Sequence, residues 1–112
     1  MKRVETYTGS GEFVNAVQDA DIDKLRPLFR EAEMAWYDEW VARGCIDEGS
    51  CCLGIGVYVY YLPPRGRSPR VRQVINWNGS QGDFEAERTK GLPIGMLADA
   101  GVDAFYNCGR MD

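Results

Sequence analysis

Four cysteines, Cys45, Cys51, Cys52 and Cys108, are the first residues of this 112-residue chain whose type invites chemistry. Structural zinc sites take their ligands as two close pairs, about two to four residues apart within each pair. Here five residues separate Cys45 from Cys51, none separates Cys51 from Cys52, and fifty-five separate Cys52 from Cys108. Neighbouring residues of an extended strand point to opposite faces, so Cys51 and Cys52 do not converge on one ion. A nucleophilic thiol needs a base beside it, and the chain contains no histidine. Ser-His-Asp and Cys-His mechanisms are thereby excluded, and the commonest metal ligand is missing. Among the carboxylates, Asp47 and Glu48 are sequence neighbours, and Asp83, Glu85 and Glu87 form a group. Helix caps and solvated helix faces account for them, since helix starts favour acids. Residues 78–83, NGSQGD, lack the lysine and spacing of a phosphate loop, and Gly54-x-Gly56 is too little for a dinucleotide fingerprint. No catalytic residue, metal ligand or cofactor is assigned.

Arg65, Arg67, Arg70 and Arg72 lie within eight residues, in a stretch from 51 to 82 that has no acid. This segment, at +4, sits between flanks of −5 and −3, within a net charge of −4. Interleaved with Tyr58, Tyr60, Tyr61 and Trp77, the arginines could hold phosphates while rings stack on bases. The basic footprint is small and no recognised RNA-binding signature accompanies it, so nucleic acid is not the favoured partner. Arginines at a strand edge also oppose edge-to-edge pairing. A basic tip could equally meet the acidic helix of a second copy of the chain.

These residues need elements to position them. Residues 52–62 form the clearest strand, with apolar side chains on both faces, followed by a proline-rich turn and a return strand at 70–77. Gln73 interrupts the inward face expected for Val71, Ile75 and Trp77. A long helix is expected from the steps of three and four linking Ile22, Leu25, Phe29, Ala32, Trp36 and Trp40, either starting near Asp23 to Arg26 or bending there because of Pro27, with Gly44 closing it. A first strand is expected at 2–8, a short helix at 12–19, helices at 84–90 and 93–100, and a last strand at 102–108.

That order predicts an α+β domain spanning 1–112: a four-stranded, mainly antiparallel sheet with helices on one face. A ferredoxin-like βαββαβ arrangement is favoured over a cone-shaped fold. One helix layer covers only one face of the 52–62 strand, so the face with Gly54, Gly56, Tyr58 and Tyr60 is read as an interface, together with Arg65, Arg67, Arg70 and Arg72. The expected partner is a second copy of the chain, through this face or the 52–77 hairpin. Trp36, Trp40, Tyr61, Trp77 and Phe105 are candidates to line an aromatic pocket for a small ligand.

Two stretches resemble known families. EFVNAVQDADIDKLRPLF, residues 12–29, is similar to the opening helices of the nuclear-transport-factor-2-like superfamily, which implies the cone-shaped alternative. GSCCLGIGVYVYYLPPR and AGVDAFYNCGRMD resemble segments of small bacterial integron gene-cassette proteins. That resemblance implies a bacterial mobile-element origin and no particular chemistry.

Apolar content of 45% and charged content of 27% are those of an ordinary globular domain. The longest apolar run is far too short to span a bilayer as a helix, and the N-terminus lacks the apolar core of a signal peptide. The expectation is a small cytoplasmic protein with reduced cysteines, binding a small molecule or a protein partner, with no membrane role. The alternatives are a histidine-free enzyme using carboxylates or a cysteine, and a nucleic-acid binder using the arginine hairpin.

Overall fold

A computed structural model describes residues 3–7, 11–45, 54–65, 68–77 and 82–107. The order is β1 (Arg3–Tyr7), β2 (Phe13–Gln18), α1 (Asp19–Lys24), α2 (Arg26–Ala42), β3 (Gly56–Leu62), β4 (Arg70–Asn76), α3 (Gly82–Thr89), α4 (Gly91–Asp99) and β5 (Ala104–Asn107). The domain is α+β, with a mostly antiparallel sheet and its helices packed on the face of Val57, Val59 and Ile75.

The sheet has five strands rather than four, and the element order departs from βαββαβ. The added strand is β2, where a helix at 12–19 was expected. Phe13, Val14 and Val17 fit a helical step, but six residues are too few to separate the two periods. Val14 and Ala16 are buried on either side of half-buried Asn15, with Phe13 exposed before them and Val17 buried where β2 reaches β3, and Phe13–Val17 pairs antiparallel with β1 from Arg3–Val17 to Tyr7–Phe13. That ladder supplies backbone partners which an isolated short helix would find hard to keep. At its far end β2 joins β3 in parallel, Val17 beside Tyr61 and Gln18 beside Leu62. Parallel neighbours require a crossover, and α1 with α2 provides it.

Pro27 falls in the first turn of α2, where its missing N–H costs no helical bond. The helix therefore starts afresh at Arg26, after Leu25 closes α1. Helices α2 and α4 stop in the same way. The Cys45 N–H donates to the Trp40 carbonyl and the Gly44 N–H to that of Val41; Val102 donates to Leu97 and Gly101 to Ala98. Gly101 takes φ of 82°, which a side chain would resist, and the turn packs buried Val102 near buried Leu97 before β5 begins.

β3 is the central strand. It pairs with β4 along one edge, and with β5 and then β2 along the other. In β4, Ile75 stands opposite Val57 and Gln73 opposite Tyr58, which leaves Val74 as the extra residue of a β-bulge. The bulge reverses the alternation of β4. Ile75 and Trp77 point into the helix-covered core, and Gln73, two residues earlier, points to the opposite face. There its amide Nε2 donates to the Ile55 carbonyl at 3.0 Å, which also accepts the Trp77 N–H at 2.9 Å. The glutamine that seemed to spoil the inward face thus never occupies it.

The core joins Val57, Val59, Ile75 and Trp77 to Phe29, Ala32, Trp36 and Trp40 of α2, with Ala86, Leu97 and Val102 closing it. One polar chain runs through it. The Trp36 indole N–H donates to Thr89 Oγ1 at 2.6 Å, and the Thr89 hydroxyl donates to the Glu85 carbonyl at 2.7 Å.

Two stability outcomes follow from this packing. A Cβ added at Gly56 would collide with the Ile75 carbonyl oxygen, a backbone atom that cannot swing aside. Gly56→Ala is therefore expected to cost about 3 kcal/mol in denaturant unfolding; wild-type stability would mean that the strands can part without penalty. Thr89→Val keeps the shape but leaves the Trp36 N–H without an acceptor, and is expected to cost about 1–3 kcal/mol, while Thr89→Ser stays near wild type. Equal losses for the two variants would show that the hydrogen bond carries none of the effect.

Candidate functional site

The expected aromatic pocket does not assemble. Trp36, Trp40 and Trp77 come together as foreseen, with Trp36 and Trp77 centroids 4.4 Å apart and Trp40 edge-on to Trp77 at 5.5 Å. They pack on one another in the buried core, with Tyr106 edge-on to Trp36 at 6.3 Å. Phe105 is not with them. It pairs with Tyr58 on the opposite face, stacking on Tyr58 at 5.8 Å and tilted against Tyr60 at 5.1 Å. Adjacent strand residues alternate faces, so only one of Phe105 and Tyr106 can reach the tryptophans. Tyr61 is half-buried at the other end of β3, beside Val17.

The face read as an interface is partly closed within the chain. Tyr58 is only 5% exposed, and its hydroxyl donates to the Gly54 carbonyl at 2.7 Å. Burial pushes the Tyr58 phenol above its ordinary range. Gly56 is buried, while Gly54 and Tyr60 are half-buried. Arg65, Arg70 and Arg72 are exposed; Arg67, Cys51, Cys52, Cys108 and the loop 78–81 lie outside the described residues.

The arginines do not act as one patch. Arg65 and Arg70 border a shallow hollow of about 500 Å³ at the hairpin turn, with Pro63 and Pro64. Arg72 goes elsewhere. It stands opposite Val59, on the helix-covered side of β4, so its side chain projects from this outer strand towards α2. There it meets Arg26 and Arg30 across a cleft of about 510 Å³. Ile22, Phe29 and Val74 give the cleft an apolar lining, and Glu33 is its carboxylate. Arg26, Arg30 and Glu33 are four and three residues apart on α2 and so share one flank of the helix, next to the buried stripe.

The charges in the cleft are unevenly paired. Arg26 is held by Asp23, with Nε 2.8 Å from the carboxylate. Among the described residues, Arg30 and Arg72 form no ion pair within the chain. Partial burial raises the Glu33 carboxyl above the usual range, and Arg30 nearby pulls it back in part. The site thus offers two uncommitted guanidiniums, a third that is shared, and one reluctantly ionised carboxyl over an apolar floor. Such a site suits recognition of an anion with an apolar body.

Sequence reasoning missed Arg26, Arg30 and Glu33. Their four-and-three spacing was a visible signal, but nothing in the sequence says that this flank faces β4.

Cys45 makes a poor nucleophile. It is half-buried beside Glu85, and both its burial and that carboxylate raise the thiol above its ordinary range. No helix among the described residues is long and apolar enough to cross a membrane. Nucleic-acid binding would draw on arginines and stacking rings together; Tyr61 stands opposite Arg70 on the helix side of β4, whereas Tyr58 and Tyr60 project to the other face and Trp77 is buried in the core. Compared with known proteins, the chain matches no family model, no curated protein and no solved structure.

Proposed function

We propose that this chain is a binding protein that holds an organic anion with an apolar body in the α2–β4 cleft. One observation carries the reading. Arg26, Arg30 and Arg72 converge from two distant parts of an acidic chain onto a cleft floored by Ile22, Phe29 and Val74. Like charges gathered in one place repel, so such a cluster is best explained by a counter-charge that it receives. Arginine suits this task because its planar fork matches the oxygens of a carboxylate, sulfonate or phosphate. The apolar floor adds affinity for the rest of the ligand and excludes fully hydrated ions.

The reading is tested with naphthalenesulfonate, and with naphthalenesulfonamide as its neutral counterpart, by calorimetric titration. The sulfonate is expected to bind and the sulfonamide to bind far more weakly. Arg72→Ala is expected to weaken the sulfonate about tenfold, the loss of one charge-assisted contact, without unfolding the protein. Equal binding of both compounds, or an Arg72→Ala variant that binds like wild type, would sink the proposal.

Glu33 gives the site a pH dependence. Its carboxyl titrates above the usual carboxylate range, so the charge that repels an anion is lost on moving down from neutral pH. The sulfonate stays ionised throughout. Affinity is therefore expected to rise as the pH is lowered through the Glu33 titration, and Glu33→Gln should bind tightly throughout. An unchanged slope in Glu33→Gln would remove Glu33 from the site.

A further inference from the structure

The outward flank of α2, which meets the cleft at Pro27 and Arg30, carries an exposed apolar pattern. Met34 is 55% exposed, Val41 45% and Tyr37 38%, large values for apolar side chains on one helix. Pro27, also exposed, completes a line with Met34 and Val41 at intervals of seven residues. A seven-residue repeat keeps side chains in register along a helix–helix seam. Beside this line lie charged residues in a fixed arrangement. At about 3.6 residues per turn, Arg30 and Tyr37 fall to one side of it, and Glu31 and Asp38 to the other. Among the described residues, Arg30, Glu31 and Asp38 form no ion pair within the chain.

We propose that this flank of α2 is the interface with a second copy of the chain, the two helices running parallel about a two-fold axis. Parallel two-fold pairing brings the opposite sides of the seam together at the same height. Arg30 then faces Glu31 of the second copy, and the Tyr37 hydroxyl faces Asp38, each contact made twice. Met34 meets Met34 and Val41 meets Val41 along the seam. Antiparallel pairing would instead bring together residues from the same side of the seam. Glu31 would face Asp38 of the second copy, a repulsion that selects against it. Glu31 and Asp38 also border the seam with negative charge, which disfavours docking on an anionic lipid surface. Met34, Tyr37 and Val41 do not line the cleft, so variants at Met34 and Val41 read dimerisation apart from ligand binding, whereas Pro27 and Arg30 border both.

The test is sedimentation equilibrium and native mass spectrometry of the full chain at micromolar concentrations, with circular dichroism confirming that each variant is folded. Wild type is expected to dimerise. Met34→Asp, on an exposed site where folding should survive, is expected to give monomer; Val41→Asp serves as a second variant with the same expectation. Arg30→Glu is expected to raise the dissociation constant about tenfold. Combining it with Glu31→Arg should restore dimerisation, since the swap rebuilds the same pair. A monomeric wild type would overturn the proposal, as would a dimer indifferent to both seam variants, or a charge swap that fails to restore what Arg30→Glu lost. Association only with a different protein would overturn the choice of partner.

Discussion

The one extra residue in β4, Val74, is the constraint on which the rest of the architecture turns. Were Val74 paired regularly, with no bulge, Gln73 and Ile75 would share a face, and either a polar amide would enter the core or an isoleucine would leave it. With the bulge, Ile75 and Trp77 enter the core, Gln73 holds the Ile55 carbonyl, and Arg72 turns under α2. Gly56 makes this possible, since only a residue without a side chain lets the Ile75 carbonyl come so close. The same local irregularity that completes the core therefore also aims one wall of the cleft. Bulges re-aim side chains in this way because they change the parity of a strand without breaking it.

The aromatic residues illustrate how a core uses up chemistry that looks available in sequence. Trp36, Trp40 and Trp77 provide large buried area, and their tilted and edge-on contacts fill the space between α2 and the sheet. Trp36 satisfies its N–H through Thr89, whereas the buried N–H groups of Trp40 and Trp77 have no hydrogen-bond partner among the described residues. Each unpaired donor costs about 1–3 kcal/mol. Full burial of two indoles offsets that cost, because a large ring loses several kcal/mol when removed from a core. The result is a packed layer rather than a ligand cavity.

Electrostatics divides α2 into two working parts. Its first turns present Arg26, Arg30 and Glu33 towards β4, where the sheet edge supplies Arg72. Its outer flank sets acids and bases on either side of an exposed apolar line. Arg30 borders both, so the cleft and the flank meet at one residue. A chain with an overall charge of −4 can still gather arginines locally, because close contacts are governed by which side chains the fold brings together.

The sequence by itself determined the α+β class, the long helix with its buried stripe from Phe29 to Trp40, the stop at Gly44 and the central strand. Those features are written in local periodicity and in residues with few conformational options, such as Pro27 and Gly44. Tertiary structure decided the rest. Residues 13–18 are a strand because β1 offers them a ladder, which six residues of ambiguous period cannot announce. Phe105 faces away from the tryptophans and Tyr106 towards Trp36 because strand register is set by pairing with β3, and a shift of one residue reverses every side chain. The cleft joins residues more than forty positions apart, Arg30 to Arg72, through a bulge that has no signature in composition or spacing. Local propensity acts over a few neighbours along the chain, whereas a site is made by contacts between segments that only the folded backbone brings together.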